Sequence, residues 1–199
     1  MATITGPNLV TDGLVLSLDA ASARSYPGSG STWSDLSGNS HDFTIDSTGF
    51  TYNAGGWFDM ADGGVINDDN ITDSTTSTIV FWMRTTDVQA LFWSDGNGSS
   101  YLGAYSSGNK FYNNEFGSPT LFMNTVSKAN IYDSIRTGEW LMVEFKSANM
   151  SQTNPNKFNT YGSYQFGDGD IAIIQIYNRN LTAAESLQNF NAFRSRFGI

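Results

Sequence analysis

An all-β, antiparallel two-sheet sandwich closed by one short C-terminal helix is the fold class this sequence predicts, and three observations predict it. Aromatic residues are abundant, with 14 Phe, 9 Tyr and 5 Trp among 199 residues. Turn formers are abundant too, with 20 Gly and many Asn, Ser, Thr and Asp, and the combination favours many short strands over helices. Apolar segments also recur at intervals of about ten residues, the rhythm of an antiparallel sandwich or barrel.

The elements follow in chain order. Leu14, Leu16 and Leu18 alternate with Val15, Ser17 and Asp19, which gives a first strand one apolar face and one mixed face. Trp33 to Leu36, Asp42 to Ile45, Phe50 to Tyr52 and Trp57 to Met60 read as short strands divided by Ser-Gly-Asn and Ala-Gly-Gly turns. Thr78 to Arg84 and Ala90 to Ser94 carry apolar residues on both faces and belong in the core. Tyr101 to Ala104, Lys110 to Tyr112 and Thr120 to Met123 continue the series. Glu139 to Lys146 sets Leu141, Val143 and Phe145 on one face.

Residues 147–169 form the longest polar stretch, and Phe158, Tyr161, Tyr164 and Phe166 within it predict a pinned functional loop. The strand Asp170 to Tyr177 is apolar on both faces apart from Gln175, which predicts a central strand buried between two layers. Thr182-Ala183-Ala184-Glu185 is a capping box, so a helix is expected over 182–197. Its Leu187, Phe190, Phe193 and Phe197 make an apolar stripe against the body, while Arg194 and Arg196 suit the negative C-terminal end. Without a linker or internal repeat, residues 1–199 read as one domain, with 1–12 either a docking arm or a frayed end.

The opening Asn8-Leu9-Val10-Thr11-Asp12-Gly13-Leu14-Val15-Leu16-Ser17-Leu18-Asp19, the run from Ser25 through Trp33-Ser34-Asp35-Leu36-Ser37-Gly38-Asn39, and the closing Ile-Tyr-Asn-Arg-x-Leu-Thr-x-x-Glu at 176–185 carry a resemblance. Together they resemble the concanavalin A-like, laminin-G-like jelly-roll domains of tailed-bacteriophage virion proteins. The resemblance covers both ends, with only a general strand pattern between them. It implies a jelly-roll sandwich whose ends fix the frame and whose middle carries binding loops. It also implies a virion structural protein, a capsid or tail decoration module made in the host cytoplasm, with other virion proteins and glycans as partners. A lectin or adhesin module and a glycoside hydrolase are the alternatives.

Charge narrows the partners. Nineteen acidic against ten basic residues give a net charge of -9, and the scattered Lys and Arg gather on no segment, so nucleic acid is not an expected partner. No segment approaches a membrane-spanning length, and the N-terminus lacks the basic start and apolar run of a secretory signal. There is no Cys, so thiolate metal sites and disulfides are excluded.

The chemistry-bearing residues are few. Glycoside hydrolysis needs two carboxylates about the scissile bond; Glu139 and Glu144 are separated by five, which places them on opposite faces of a strand, and no catalytic residue is assigned. The single His41 sits in a turn beside Asp35 and Asp42, and no Gly-x-Ser-x-Gly elbow exists to hold a nucleophile for it. Asp95-Gly96-Asn97-Gly98-Ser99-Ser100 alternates oxygen ligands as a calcium loop does, yet lacks a later bidentate Glu, and a hairpin turn between the strands ending at Ser94 and starting at Tyr101 is the favoured reading. No cofactor is assigned beyond that calcium alternative, and no metal site. A sugar needs an aromatic platform beside planar polar groups, and Trp93, Asn97, Tyr101 and Tyr105 cluster about this hairpin as the expected carbohydrate site.

Overall fold

The computed structural model describes residues 7–45, 49–60, 65–67, 71–72, 74–86, 90–94, 101–104, 116–129, 135, 137–151, 156–158, 160–161, 164–165 and 168–199. Two antiparallel sheets face one another. The larger runs edge to edge as β11 (Val126–Lys128), β10 (Thr120–Met123), β12 (Leu141–Ala148), β7 (Ser77–Thr85), β16 (Gly169–Tyr177), β5 (Trp57–Met60) and β4 (Phe50–Asn53), with β1 (Leu14–Asp19) also paired to β16. The smaller runs β2 (Thr32–Trp33), β3 (Phe43–Ile45), β6 (Val65–Asn67), β13 (Asn156–Phe158), β8 (Ala90–Ser94) and β9 (Tyr101–Ala104). β14 (Thr160–Tyr161) and β15 (Tyr164–Gln165) pair with each other. An α-helix near the C-terminus, α1 (Ala183–Phe193), runs into a 3₁₀ turn at Arg194–Phe197. The predicted β-sandwich with a short C-terminal helix is what forms.

Each sheet face has its own core. Leu16, Leu18, Phe58, Ile79, Phe81, Val143, Phe145, Ile174 and Ile176 of the larger sheet meet Trp33, Phe43, Leu102 and Phe158 of the smaller in one continuous buried cluster. Ring contacts cross between the layers, Trp33 to Phe58 at 4.8 Å and Phe81 to Phe158 at 5.3 Å. The outer face of the larger sheet holds a second cluster, Val80, Trp82, Met142, Ile173 and Tyr177, beneath α1. β16 therefore lies between two apolar layers, and its residues 171–177 are all buried, as its sequence predicts.

Both edges of β16 are occupied. β7 pairs along one, while β5 takes Asp170 and Ile171 and β1 takes Ile173 to Tyr177 on the other. The two ends of the chain that carry the family-like motifs thus meet on the central strand. A register shift between Leu14 and Leu16 sends Leu14 to the outer cluster, so the expected Leu14/Leu16/Leu18 face is broken after its first residue.

The capping box is present: the Thr182 hydroxyl accepts from the Glu185 amide, and the Glu185 carboxylate accepts from the Thr182 amide. Arg179 grips the same carboxylate with both terminal nitrogens, at 2.7 and 3.0 Å, which with the cap holds the Glu185 carboxyl down at about 2. The expected helical stripe needs one correction. Leu187 is 48% exposed, whereas Ser186 and Asn189 are buried. The sheet below presents polar groups there, so polar helix residues are matched to them.

Asn189 accepts from the Val10 amide and donates to the Tyr177 hydroxyl, which donates to the Val10 carbonyl. This closed ring of three bonds ties the N-terminal segment, the central strand and α1 together. Asn8 accepts from Gln188, and Asp12 pairs with Arg179 at 2.9 Å. Residues 8–12 of the expected arm are thus fastened to the body; residues 1–6 lie outside the described residues.

Two further expectations shift. The strand at Trp33 to Leu36 stops at Trp33, because the amides of Ser34, Asp35 and Leu36 turn to Ser25, Asp42 and Ser17. The polar stretch 147–169 is not a loop throughout: β13 lies between β6 and β8, with Phe158 fully buried. The strand expected at Lys110 to Tyr112 lies outside the described residues.

Candidate functional site

Beyond the C-terminal end of α1, the outer face of the larger sheet is open and its chemistry changes from apolar to polar. Alternation along β7 puts Val80 and Trp82 beneath the helix and Arg84 past its end. Cross-strand register brings Arg84 opposite Asp170 on β16, and Asp170 opposite Asp59 on β5. With Thr85, Thr86, Gly138, Asp168 and Gly169 these line a cleft of about 460 Å³.

Arg84 is held from three sides. Its guanidinium lies over the rings of Trp57, at 5.4 Å, and Trp140, at 5.1 Å, and its Nε donates to Asp170 at 2.5 Å. The two indoles meet edge to face at 5.8 Å, and Trp140 contacts Phe197 at 4.7 Å, so the helix end buttresses the cluster. Among the described residues the guanidinium makes that one hydrogen bond, which leaves its terminal nitrogens for a ligand.

Two glycines are required for this arrangement. A Cβ on Gly55 would strike the Trp57 ring, so the Ala-Gly-Gly turn is what lets the indole fold over the sheet. A Cβ on Gly169 would sit 2.5 Å from the Arg84 carbonyl oxygen, so β16 approaches β7 at the cleft only because that side chain is missing. Thr85 fixes the floor by donating from its hydroxyl to the Asp168 carbonyl.

Burial pushes the Asp170 carboxyl above the usual carboxylate range; Arg84 opposes that shift and neighbouring Asp59 adds to it. Asp59 and Asp168 are exposed. The cleft can therefore offer carboxylate acceptors and guanidinium donors to one small ligand, with the two indoles packed against Arg84 at its border. Among the described residues no group of three or more His, Asp or Glu is arranged to hold a metal ion.

The residues singled out by sequence are placed unevenly. β8 and β9 pair antiparallel, with Ser94 opposite Tyr101 and Trp93 opposite Leu102, so Trp93 and Tyr101 belong to neighbouring cross-strand pairs. Asp95 to Ser100, Asn97 among them, and Tyr105 lie outside the described residues. His41 meets Asp35 through its backbone amide, at 3.2 Å.

Glu139 is exposed and precedes β12, whereas Glu144 is fully buried beneath α1, so the two are no catalytic pair. Glu144 accepts from the Ser186 hydroxyl at 2.7 Å, lies 3.8 Å from the Lys146 ammonium, and is pushed upward in pKa by its burial. Its folded pKa exceeds its unfolded one, so its contribution to stability is intact below the ordinary value of 4.5 and is lost as pH rises through the folded value. Glu144→Gln keeps an acceptor for Ser186 and removes the buried charge. We expect the variant to match the parent in urea denaturation near pH 4 and exceed its stability near pH 8; a loss at both would refute this reading.

No protein-family model and no curated protein matches this chain. Solved structures do resemble it. Trypanosoma rangeli sialidase in complex with the inhibitor DANA superposes with a TM-score of 0.59 at 12% identity, over 98% of this chain and 36% of that one. The botulinum neurotoxin serotype D ligand binding domain in complex with N-acetylneuraminic acid gives 0.55 at 12% identity, over 91% and 51%. The binding domain of Paraclostridial Mosquitocidal Protein 1 gives 0.55 at 14%, over 92% and 53%. The chain thus spans between a third and about half of these proteins. At such identities the likeness shows the fold alone, and the fold is a β-sandwich.

Proposed function

We propose that this chain is a non-catalytic, glycan-binding module on the surface of a tailed-phage particle. The observation that carries the glycan reading is the cleft lined by Arg84, Asp59, Asp168 and Asp170, with Trp57 and Trp140 packed against the Arg84 guanidinium at its border. A sugar presents an apolar ring face and a rim of hydroxyls, and aromatic surface beside fixed donors and acceptors matches both. The structural neighbour that holds N-acetylneuraminic acid supports the reading, since its sandwich has the same architecture. The particle setting rests on the end motifs, whose residues build the frame: Asp35 and Asn39 bind the edge of β1, and Arg179 and Glu185 start the helix.

The purified chain is expected to bind a subset of glycans on an array, with binding lost in Arg84→Ala. Antibody against the chain is expected to label phage particles by immunogold. Array binding without particle labelling would leave a free lectin, and labelling without any glycan would leave a purely structural decoration protein.

Glycoside hydrolysis is a second reading, favoured by the elevated Asp170 carboxyl next to Asp59. The ion pair with Arg84 occupies Asp170 Oδ2 and argues for a positioning role instead. Release of reducing sugar that disappears in Asp170→Asn would establish the enzyme.

A further inference from the structure

We infer that Arg196 is the positioning residue of the Arg84 cleft: by two separate routes it holds the two indoles that hold the Arg84 guanidinium. The consequence for glycan affinity rests on the reading above; the hold on Arg84 does not.

The first route runs through the backbone. Arg196 donates from one terminal nitrogen to the Asp19 carboxylate, at 2.7 Å, and from the other to the carbonyl of Gly56, the residue before Trp57. Gly56 closes the turn between β4 and β5, with its amide on the Asn53 carbonyl at 2.8 Å and its φ at +90°. A Cβ on it would lie 2.5 Å from the Ala21 Cβ, so the turn sits flush against the segment that follows Asp19. One guanidinium thus pins the turn from which the Trp57 ring folds over the sheet.

The second route runs through rings. The Arg196 guanidinium lies over Phe197 at 5.0 Å, Phe197 meets Trp140 at 4.7 Å, and Trp140 lies 5.1 Å from the Arg84 guanidinium. Trp57 reaches Arg84 at 5.4 Å and meets Trp140 at 5.8 Å, so the two routes converge. Arg84 needs that support. A guanidinium tied by a single hydrogen bond, Nε to Asp170, can pivot about it unless the rings stacked on its face are fixed. The side chains of Arg196 and Asp19 are only 24% and 20% exposed, so their pair is a firmer anchor than an ion pair in open solvent. Among the described residues Arg196 makes no hydrogen bond to any residue lining the cleft, so its influence passes through Trp57 and Trp140.

Spectra of the unliganded, ¹⁵N-labelled chain read the hold directly. In Arg196→Ala the indole signals of both Trp57 and Trp140 are expected to shift, and the Arg84 Nε–H signal to be lost to exchange with water at neutral pH. The signal of buried Trp33 should stay in place, as the mark of an intact fold. Arg196→Lys keeps a cation beside Asp19 but lacks the planar fork that bonds carboxylate and carbonyl together. It is expected to match the parent in urea denaturation and still release Arg84. Affinity for a glycan found on the array should fall about fivefold or more in both variants. Arg194→Ala removes the same charge from the same 3₁₀ turn, where the guanidinium lies over Phe190, and should leave both indoles and the affinity as they are. An unmoved Trp140 signal, or an Arg84 signal that persists in Arg196→Ala, would overturn the inference. Parental affinity in both Arg196 variants would also overturn it, as would an equal fall in Arg194→Ala, which would make the effect one of charge. If the parent binds no glycan while Arg84 is released in both variants, the glycan reading falls and the role of Arg196 stands.

Discussion

Trp82→Ala is expected to lower the unfolding free energy by about 3–5 kcal/mol, in the upper range of large-to-small core substitutions. Trp82 is fully buried at the centre of the outer face, stacked on Phe197 at 4.6 Å and on Phe190 at 5.9 Å, with Phe193 edge-on at 6.1 Å. These three rings are most of what α1 and its 3₁₀ extension place on the sheet. Removing the indole therefore takes away the surface on which the helix rests, and the helix cannot collapse into the gap without leaving Asn189 and Ser186 misaligned with their partners. The indole N–H has no hydrogen-bond partner among the described residues, so truncation strands no polar group and the cost is one of cavity and lost contact. Urea denaturation gives the size of the effect. Trp82→Phe, which refills most of the volume, is expected to recover more than half of the loss. A loss below about 1 kcal/mol for the alanine variant would mean that α1 is held chiefly by its polar ties.

Asp35→Ala is expected to cost about 2–4 kcal/mol, although Asp35 is neither in the core nor in a strand. Its carboxylate accepts four hydrogen bonds: from the Ser17 amide at 2.9 Å, the Ser37 amide at 2.8 Å, the Ser37 hydroxyl at 2.6 Å and the His41 amide at 3.2 Å. Ser17 is buried on β1, so its amide loses a partner that water cannot replace, a penalty of about 1–3 kcal/mol. The other donors lie in a part-exposed turn and can rehydrate, at the expense of the turn's shape. That turn also covers the free edge of β1, where the Asn39 side-chain amide donates to the Val15 carbonyl and the Leu36 amide to the Ser17 carbonyl. Asp35→Asn keeps one acceptor oxygen and is expected to cost about half as much. Equal stability of the alanine variant and the parent would show the turn to be dispensable to the edge it covers.

The frame was legible in the sequence because its signals are local. The period-two alternation and apolar runs that mark β5, β8, β9 and β10 lie within single segments, and all four strands keep their predicted bounds. The capping box spans four residues and forms as written. β6, β11 and β13 went unread because their sequences, Val-Ile-Asn, Val-Ser-Lys and Asn-Lys-Phe, carry no pattern of their own and become strands through their partners.

The candidate site was illegible for a related reason. Its parts come from residues 57, 59, 84, 140 and 170, on four strands or their flanks, and only the register between β5, β16 and β7 assembles them. One clue was present: β7 ends its apolar run on Arg84 and β16 begins its own on Asp170, an opposite-charge pair at matching ends of the two most apolar strands. Sequence proximity around Trp93 gathered aromatic and amide groups in one dimension, and that grouping competes with the cleft as the place where a sugar binds.

A ¹⁵N-labelled sample resolves this competition in one spectrum, because the chain has 5 Trp and hence five indole N–H signals. Titration with a glycan identified on the array should shift the signals of Trp57 and Trp140, leave buried Trp33 and Trp82 nearly unmoved, and lose its effect in Arg84→Ala. Shifts confined to Trp93, with Trp57 and Trp140 unchanged, would contradict the assignment of the Arg84 cleft and move the sugar site to the β8–β9 hairpin.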